Sequence, residues 1–216
     1  MSTVPALPAY DPSRTALLFV DPYNDFLSEG GKLWPRLAEV ANSVRLHDNL
    51  RALSAAVRAA GIPVFIVPHH RAEPDDFQGW DHPTPYQLGA AKVQIFAKGS
   101  WGGEWHPDFA PRPGDIVVKE HWGASGFANT DLDLLLKQKR ISHVILIGLI
   151  ANTCIECTGR FANELGYHVT LVRDATAAFS TAAMHAAHEI NAPSYAHAVH
   201  TTAELLELLP KALLPG

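Results

Sequence analysis

Short, nearly uninterrupted apolar runs punctuate the chain at Thr15 to Val20 (TALLFV), Ile62 to Val67 (IPVFIV), Ile116 to Lys119 (IVVK), Val144 to Gly148 (VILIG) and His168 to Val172 (HVTLV). Runs that are apolar at almost every position suit strands buried on both faces, as in parallel sheets. A weaker sixth run spans Ala198 to Thr201. Between the first two runs, Leu37, Val40, Val44, His47, Leu50, Leu53 and Val57 recur at steps of three and four. That spacing predicts one helix from about Leu37 to Ala60, stopped by Gly61 in the position a C-cap prefers. Shorter helices are expected from Asp131 to Gln138 behind a Thr130 cap, from Thr153 to Leu165, and near Thr181 to Ile190. Thr201-Thr202-Ala203-Glu204 resembles a capping box that opens a last helix.

Strand and helix alternate from end to end, which predicts one α/β domain over residues 1–216 with a mostly parallel sheet and right-handed crossovers. Residues 1–13 read as an extended arm. Residues 68–114 break the pattern. They are rich in Pro, Gly, Trp and His, and a loop that long is usually functional or hides short elements.

Composition narrows the function classes. A chain of 216 residues, 47% hydrophobic and 18% charged, has the core-forming residues that disordered chains lack. Two cysteines are too few for a disulfide scaffold. A net charge of −5 argues against a nucleic-acid partner. No run approaches the ~20 apolar residues of a membrane span, and the N-terminus lacks the basic start of a signal peptide. The expectation is a soluble, cytoplasmic protein with reduced thiols, acting on a small molecule, with neither nucleic acid nor membrane as partner.

In open parallel sheets, ligands sit beyond the carboxyl ends of the strands. Three polar residues stand there: Asp21 after the first run, Lys119 at the end of the third, and Cys154 just after the fourth. A lysine paired with Asp21 would satisfy two charges that are costly to bury alone. Cys154 sits where a helix begins, and a helix N-terminus lowers a thiol pKa. Thiol, carboxylate and ammonium together make a plausible activated nucleophile. Taken singly, each has a plainer reading: Cys154 as a small core residue, Asp21 as a turn residue, Lys119 as a surface side chain. Cys154-Ile-Glu-Cys157 also reads as a C-x-x-C redox pair, although no second pair completes a zinc site. His69, His70, Asp75, Asp76 and His82 in the long loop, and His185 with His188, are candidate metal ligands without a recognised signature. Phe77, Trp80, Trp101, Trp105 and Trp122 could line a pocket or simply pack the loop.

The stretch Thr-Ala-Leu-Leu-Phe-Val-Asp21-Pro-Tyr-Asn-Asp-Phe resembles the opening motif of the isochorismatase-like cysteine hydrolases. Val-Val-Lys119-Glu-His-Trp-Gly-Ala-Ser-Gly-Phe, Gly148-Leu-Ile-Ala-Asn-Thr-Cys154-Ile-Glu-Cys and Gly166-Tyr-His-Val-Thr-Leu-Val-Arg-Asp174-Ala resemble later motifs, in order, from about residue 14 to 205. The resemblance implies a three-layer α/β/α fold with six strands ordered 3-2-1-4-5-6. It implies a triad of Asp21, Lys119 and Cys154, a cis peptide at Leu149-Ile150, and an oxyanion hole formed by the amides of Ile150 and Cys154. It further implies hydrolysis of an amide, ureide or carbamoyl C–N bond, and a homodimer or homotetramer. Pro68-His-His-Arg departs from the Asp-x-His metal motif of the nicotinamidases, so no metal and no cofactor is expected; the alternatives are a non-catalytic or thiol-redox protein using Cys154-Cys157 on the same fold, or a nicotinamidase with an atypical metal site. The expected pocket lining is Phe26, His70, Trp80, Trp122 and Phe179.

Overall fold

The structure, a computed structural model, describes residues 10–211. The first nine residues of the expected arm lie outside that range; Tyr10 is buried, its hydroxyl 3.1 Å from Thr170 Oγ1.

Six strands form one sheet: β1 (Thr15–Val20), β2 (Val64–Val67), β3 (Ile116–Val117), β4 (His143–Leu149), β5 (His168–Ala177) and β6 (Ala198–His200). Their order is β3-β2-β1-β4-β5-β6, and every pairing is parallel. The apolar runs are explained by burial on both faces. Leu17, Phe19, Ile145 and Ile147 enter one core, with Leu37 and Val40 of α2 (Trp34–Ser43), Leu50, Leu53 and Val57 of α3 (Leu46–Ala59), and Leu205 of α8 (Thr202–Leu208). Ala16, Leu18, Val20, Val144 and Leu146 enter the other, with Leu132 and Leu136 of α5 (Leu132–Gln138) and Ala162 of α6 (Glu156–Glu164). Alternate side chains of each strand therefore serve opposite layers.

Three expected boundaries move. The single helix from Leu37 to Ala60 is two helices, because Arg45 adopts a left-handed φ of 54°. Asn49 makes the break tolerable: its amide donates to the carbonyl of Val44 at 2.8 Å, satisfying an acceptor that the end of α2 leaves free. The segment Ala151–Ile155 forms a wide, π-helical turn before α6, where a regular helix from Thr153 was expected. Finally, β3 stops at Val117, short of Lys119.

The segment after β2 is pinned to α1 (Asn24–Leu27) by two buried polar side chains. The Asn24 amide donates to the carbonyl of Trp101 at 2.9 Å. The Asp25 carboxylate accepts from the amides of Lys32 at 2.9 Å and Phe96 at 2.7 Å. Gly102 lies against that carboxylate so closely that a Cβ there would fall 2.4 Å from Asp25 Oδ1. The loop also hides a short element, α4 (Pro85–Lys92), opened by a Thr84–Gln87 capping box.

Candidate active site

β1 lies between β2 and β4, so its carboxyl end is the middle of the sheet's edge. Val20 pairs with Val67 on one side and Gly148 on the other. Gly148, at φ 113°, lets the two backbones meet closely; a Cβ there would lie 2.1 Å from the Val20 carbonyl oxygen. Asp21 follows Val20 at φ 55°, a left-handed conformation that non-glycine residues adopt at some cost. The turn after β4 carries Cys154 to the same edge, and the peptide bond between Leu149 and Ile150 is cis.

The group beside Asp21 is His121. The chain beyond β3 continues alongside the chain beyond β2: the His121 amide donates to the Pro68 carbonyl, and the His70 amide to the His121 carbonyl, both at 2.9 Å. His121 Nε2 thereby comes to 3.2 Å from Asp21 Oδ1, with both side chains fully buried. Its Nδ1 lies 2.7 Å from the Gly123 carbonyl oxygen. A carbonyl can only accept, so Nδ1 carries a hydrogen; a carboxylate at Nε2 calls for a second. Burial opposes the imidazolium charge, but the Asp21 charge and hydrogen bond outweigh it, raising the His121 pKa. Among the described residues, Asp21 Oδ2 is buried without a hydrogen-bond partner.

Asp21, His121 and Cys154 each offer an atom within 4.8 Å of the other two. Contrary to expectation, the Cys154 thiol pKa is raised well above its ordinary value. Burial is the main cause, followed by the nearby Asp21 carboxylate; the Thr153 side chain and the Ile150 amide act in the lowering direction more weakly. Cys154 is therefore a protonated thiol directed at a carboxylate. His69 stands edge-on to His121, ring centroids 5.1 Å apart; burial and the neighbouring His121 charge lower its pKa and keep it neutral.

A cavity of about 330 Å³ opens onto Cys154. Phe26, His70 and Trp122 line it, with Tyr86, Ile95 and Phe96. The Trp122 ring stacks on His70, centroids 3.6 Å apart. His70 is held by Asp76 at 2.9 Å and by Glu120 at 3.5 Å. Burial raises the Glu120 pKa, but hydrogen bonds from His70 and from the Arg71 amide and guanidinium overcome it and hold Glu120 at about 2.

Several sequence expectations need correction. Lys119 does not reach Asp21. Its side chain is exposed, its amide donates to Asp131, and no ion pair involves it among the described residues. Val118 is the inward-facing residue there, packing into the core, so its neighbour in an extended chain points away. Trp80 is outside the lining, exposed and tilted against Trp122 at 5.6 Å. Phe179 is also outside it, with Arg36 lying 3.9 Å over its ring. His82 is exposed, and the loop histidines form no metal-ligand group with Asp75 and Asp76 among the described residues. Cys157 is half-buried and does not line the cavity. His188 is a buried structural residue bonded to Thr176 at 2.9 Å. His121 was missed because a strand-end lysine drew the eye two residues too early.

The geometry has relatives. Residues 15–204 match the family model described as the Isochorismatase domain. A ureidoacrylate amidohydrolase, RutB, of Pantoea ananatis (strain LMG 20103) is 32% identical over 177 residues, covering 77% of this chain and 70% of its own. A cysteine hydrolase from Pseudomonas syringae pv. phaseolicola 1448A superposes with a TM-score of 0.78 at 28% identity, covering 99% of this chain and all of that one. An N-carbamoylsarcosine amidase from Thermoplasma acidophilum gives 0.63 at 27% identity, over 88% of this chain and 96% of its own. With the six-stranded parallel sheet in the order β3-β2-β1-β4-β5-β6 and a domain match spanning nearly the whole described chain, the protein belongs to the isochorismatase family.

Proposed function

We propose that the protein hydrolyses a C–N bond of a small, uncharged amide, ureide or carbamoyl compound through a Cys154 thioester. The observation that carries this reading is the buried Asp21 carboxylate: its Oδ1 lies 3.2 Å from His121 Nε2, its Oδ2 has no hydrogen-bond partner among the described residues, and the Cys154 thiol stands within 4.8 Å of the pair. An unpaired buried carboxylate oxygen is costly unless a reacting group completes it. Asp21 takes the thiol proton as Cys154 Sγ attacks the substrate carbonyl. The resulting oxyanion accepts hydrogen bonds from the amides of Ile150 and Cys154. The C–N bond breaks, and Asp21 returns its proton to the departing nitrogen. A water molecule then gives a proton to Asp21 and its oxygen to the acyl carbon, releasing the acid and the thiol. His121 holds positive charge beside Asp21 throughout, the role that the resemblance assigns to a lysine.

The amidohydrolase and amidase names of the relatives support C–N hydrolysis. The lining favours an uncharged substrate: among the described residues it holds no lysine or arginine, and its one carboxylate, Asp76, is paired with His70. The test is release of ammonia or amine from a panel of neutral and anionic amides and ureides, with intact-mass detection of the acyl-enzyme. A Cys154→Ala variant with near-normal turnover would defeat the proposal.

A further inference from the structure

We propose that Asp21, His121 and Cys154 also form a binding site for one thiophilic divalent cation of the zinc type, and that its occupation switches the thiol off. The inhibitory half rests on the role proposed for Cys154; the binding half stands on geometry alone.

The donor set is oxygen, imidazole nitrogen and sulfur, the three ligand types zinc takes in proteins. At metal–ligand distances of about 2.0–2.3 Å, ligand atoms of a tetrahedral ion stand about 3.3–3.8 Å apart. Asp21 Oδ1 and His121 Nε2 are already 3.2 Å apart, and Cys154 Sγ completes a set within 4.8 Å. The nitrogen that would ligate is also fixed. Nδ1 is committed to the Gly123 carbonyl at 2.7 Å, which leaves Nε2 directed at the site. A backbone carbonyl on the far nitrogen is the usual way a protein orients a ligating histidine. Asp21 Oδ2, buried and unpartnered, supplies a further oxygen. The cavity reaches Cys154, the one of the three residues that lines it.

One divalent cation bound between a carboxylate, an imidazole nitrogen and a thiolate is matched by two ligand charges, so the buried site would gain no net charge from the ion and its ligands together. A lysine in place of His121 has no lone pair while protonated, so the cation site comes with the histidine.

The probe is Co²⁺ titrated into metal-free protein, followed by the thiolate-to-cobalt absorption band in the near ultraviolet. The expected result is a band saturating at one equivalent, absent in Cys154→Ser and at least ~100-fold weaker in affinity in His121→Lys. Circular dichroism of each variant establishes that it is folded. Saturation without a thiolate band, or equal affinity in His121→Lys, would overturn the site. One equivalent of Zn²⁺ should also suppress ammonia release, with chelator restoring it. Zinc that binds with the same three-residue dependence yet leaves turnover unchanged or raises it would overturn the inhibitory half. A failure of the thioester reading shows separately, as retained turnover in metal-free Cys154→Ala.

Discussion

Lys119 and His121 stand two residues apart on the same extended segment, yet one is in solvent and the other is fully buried 3.2 Å from Asp21. The group beside the Asp21 carboxylate is therefore an imidazole, a flat ring with two nitrogens to place, and the carboxylate raises its pKa. The role of charge partner passes to it.

The two positions should separate cleanly by mutation. Lys119→Ala is expected to keep turnover within about twofold, since its surface side chain holds nothing in place. His121→Ala should lower kcat by about a hundredfold or more, as removal of a buried group acting on the base does. Steady-state kinetics with a confirmed substrate decide the point; a large loss with Lys119→Ala would return the role to lysine.

Stability should respond to acid through Glu120. Its folded pKa of about 2 lies below the ordinary 4.5, so its contribution is fully present above about 4.5 and is lost as pH falls toward 2. A Glu120→Gln variant should melt below the parent at pH 6 and converge with it near pH 2. Parallel melting curves at every pH would show that the His70–Glu120–Arg71 cluster contributes nothing.

Trp122 is 38% exposed, and its ring makes one wall of the cavity over His70. Trp122→Ala should raise KM several-fold and lower kcat/KM by more than any change in melting temperature explains, since aromatic faces bind flat groups at little entropy cost. An unchanged KM would confine Trp122 to holding the loop.

Exhaustive dialysis against chelator should leave turnover unchanged or raise it. The proposed nucleophile, base and oxyanion donors are all protein groups, so no step calls on a Lewis acid. Activity that falls with metal content and returns on adding zinc, iron or manganese would refute this.

Charge on the substrate should also matter. With no lysine or arginine in the lining among the described residues and Asp76 already paired with His70, a carboxylate-bearing ureide finds no free cation there and should show a kcat/KM at least about tenfold below its neutral amide counterpart. Equal rates would mean that the acid group stays outside the cavity.

Much of the frame was legible from periodicity, because strands buried on both faces write themselves as apolar runs and the sheet order follows the resemblance. Asp21 stands directly beyond such a run and Cys154 in the turn that follows one, which is why the sequence places both at the sheet's carboxyl edge. His121 was harder to read. Beyond Val117 the ladder breaks and resumes only at the His69–His121 bridge, so which side chain turns inward is set by contacts with Pro68 and His70 that are distant in sequence. The thiol pKa was misjudged because a helix terminus is visible in sequence, while burial and the nearness of Asp21 are not. The break at Arg45 was hidden for a similar reason, since apolar spacing carries through it and the stabilising Asn49 amide acts in three dimensions.

Asn24 and Asp25 hang the segment after β2 from the sheet edge by a few hydrogen bonds. Ten of the nineteen residues around the cavity lie between Ala72 and Phe96, while the reacting side chains come from the sheet edge and the strand-following turns. Inheritance can therefore treat the two separately. A lineage that keeps its pegs and its sheet edge is free to redraft the wall between them, insertion by insertion, and acquire new substrates without relearning the reaction.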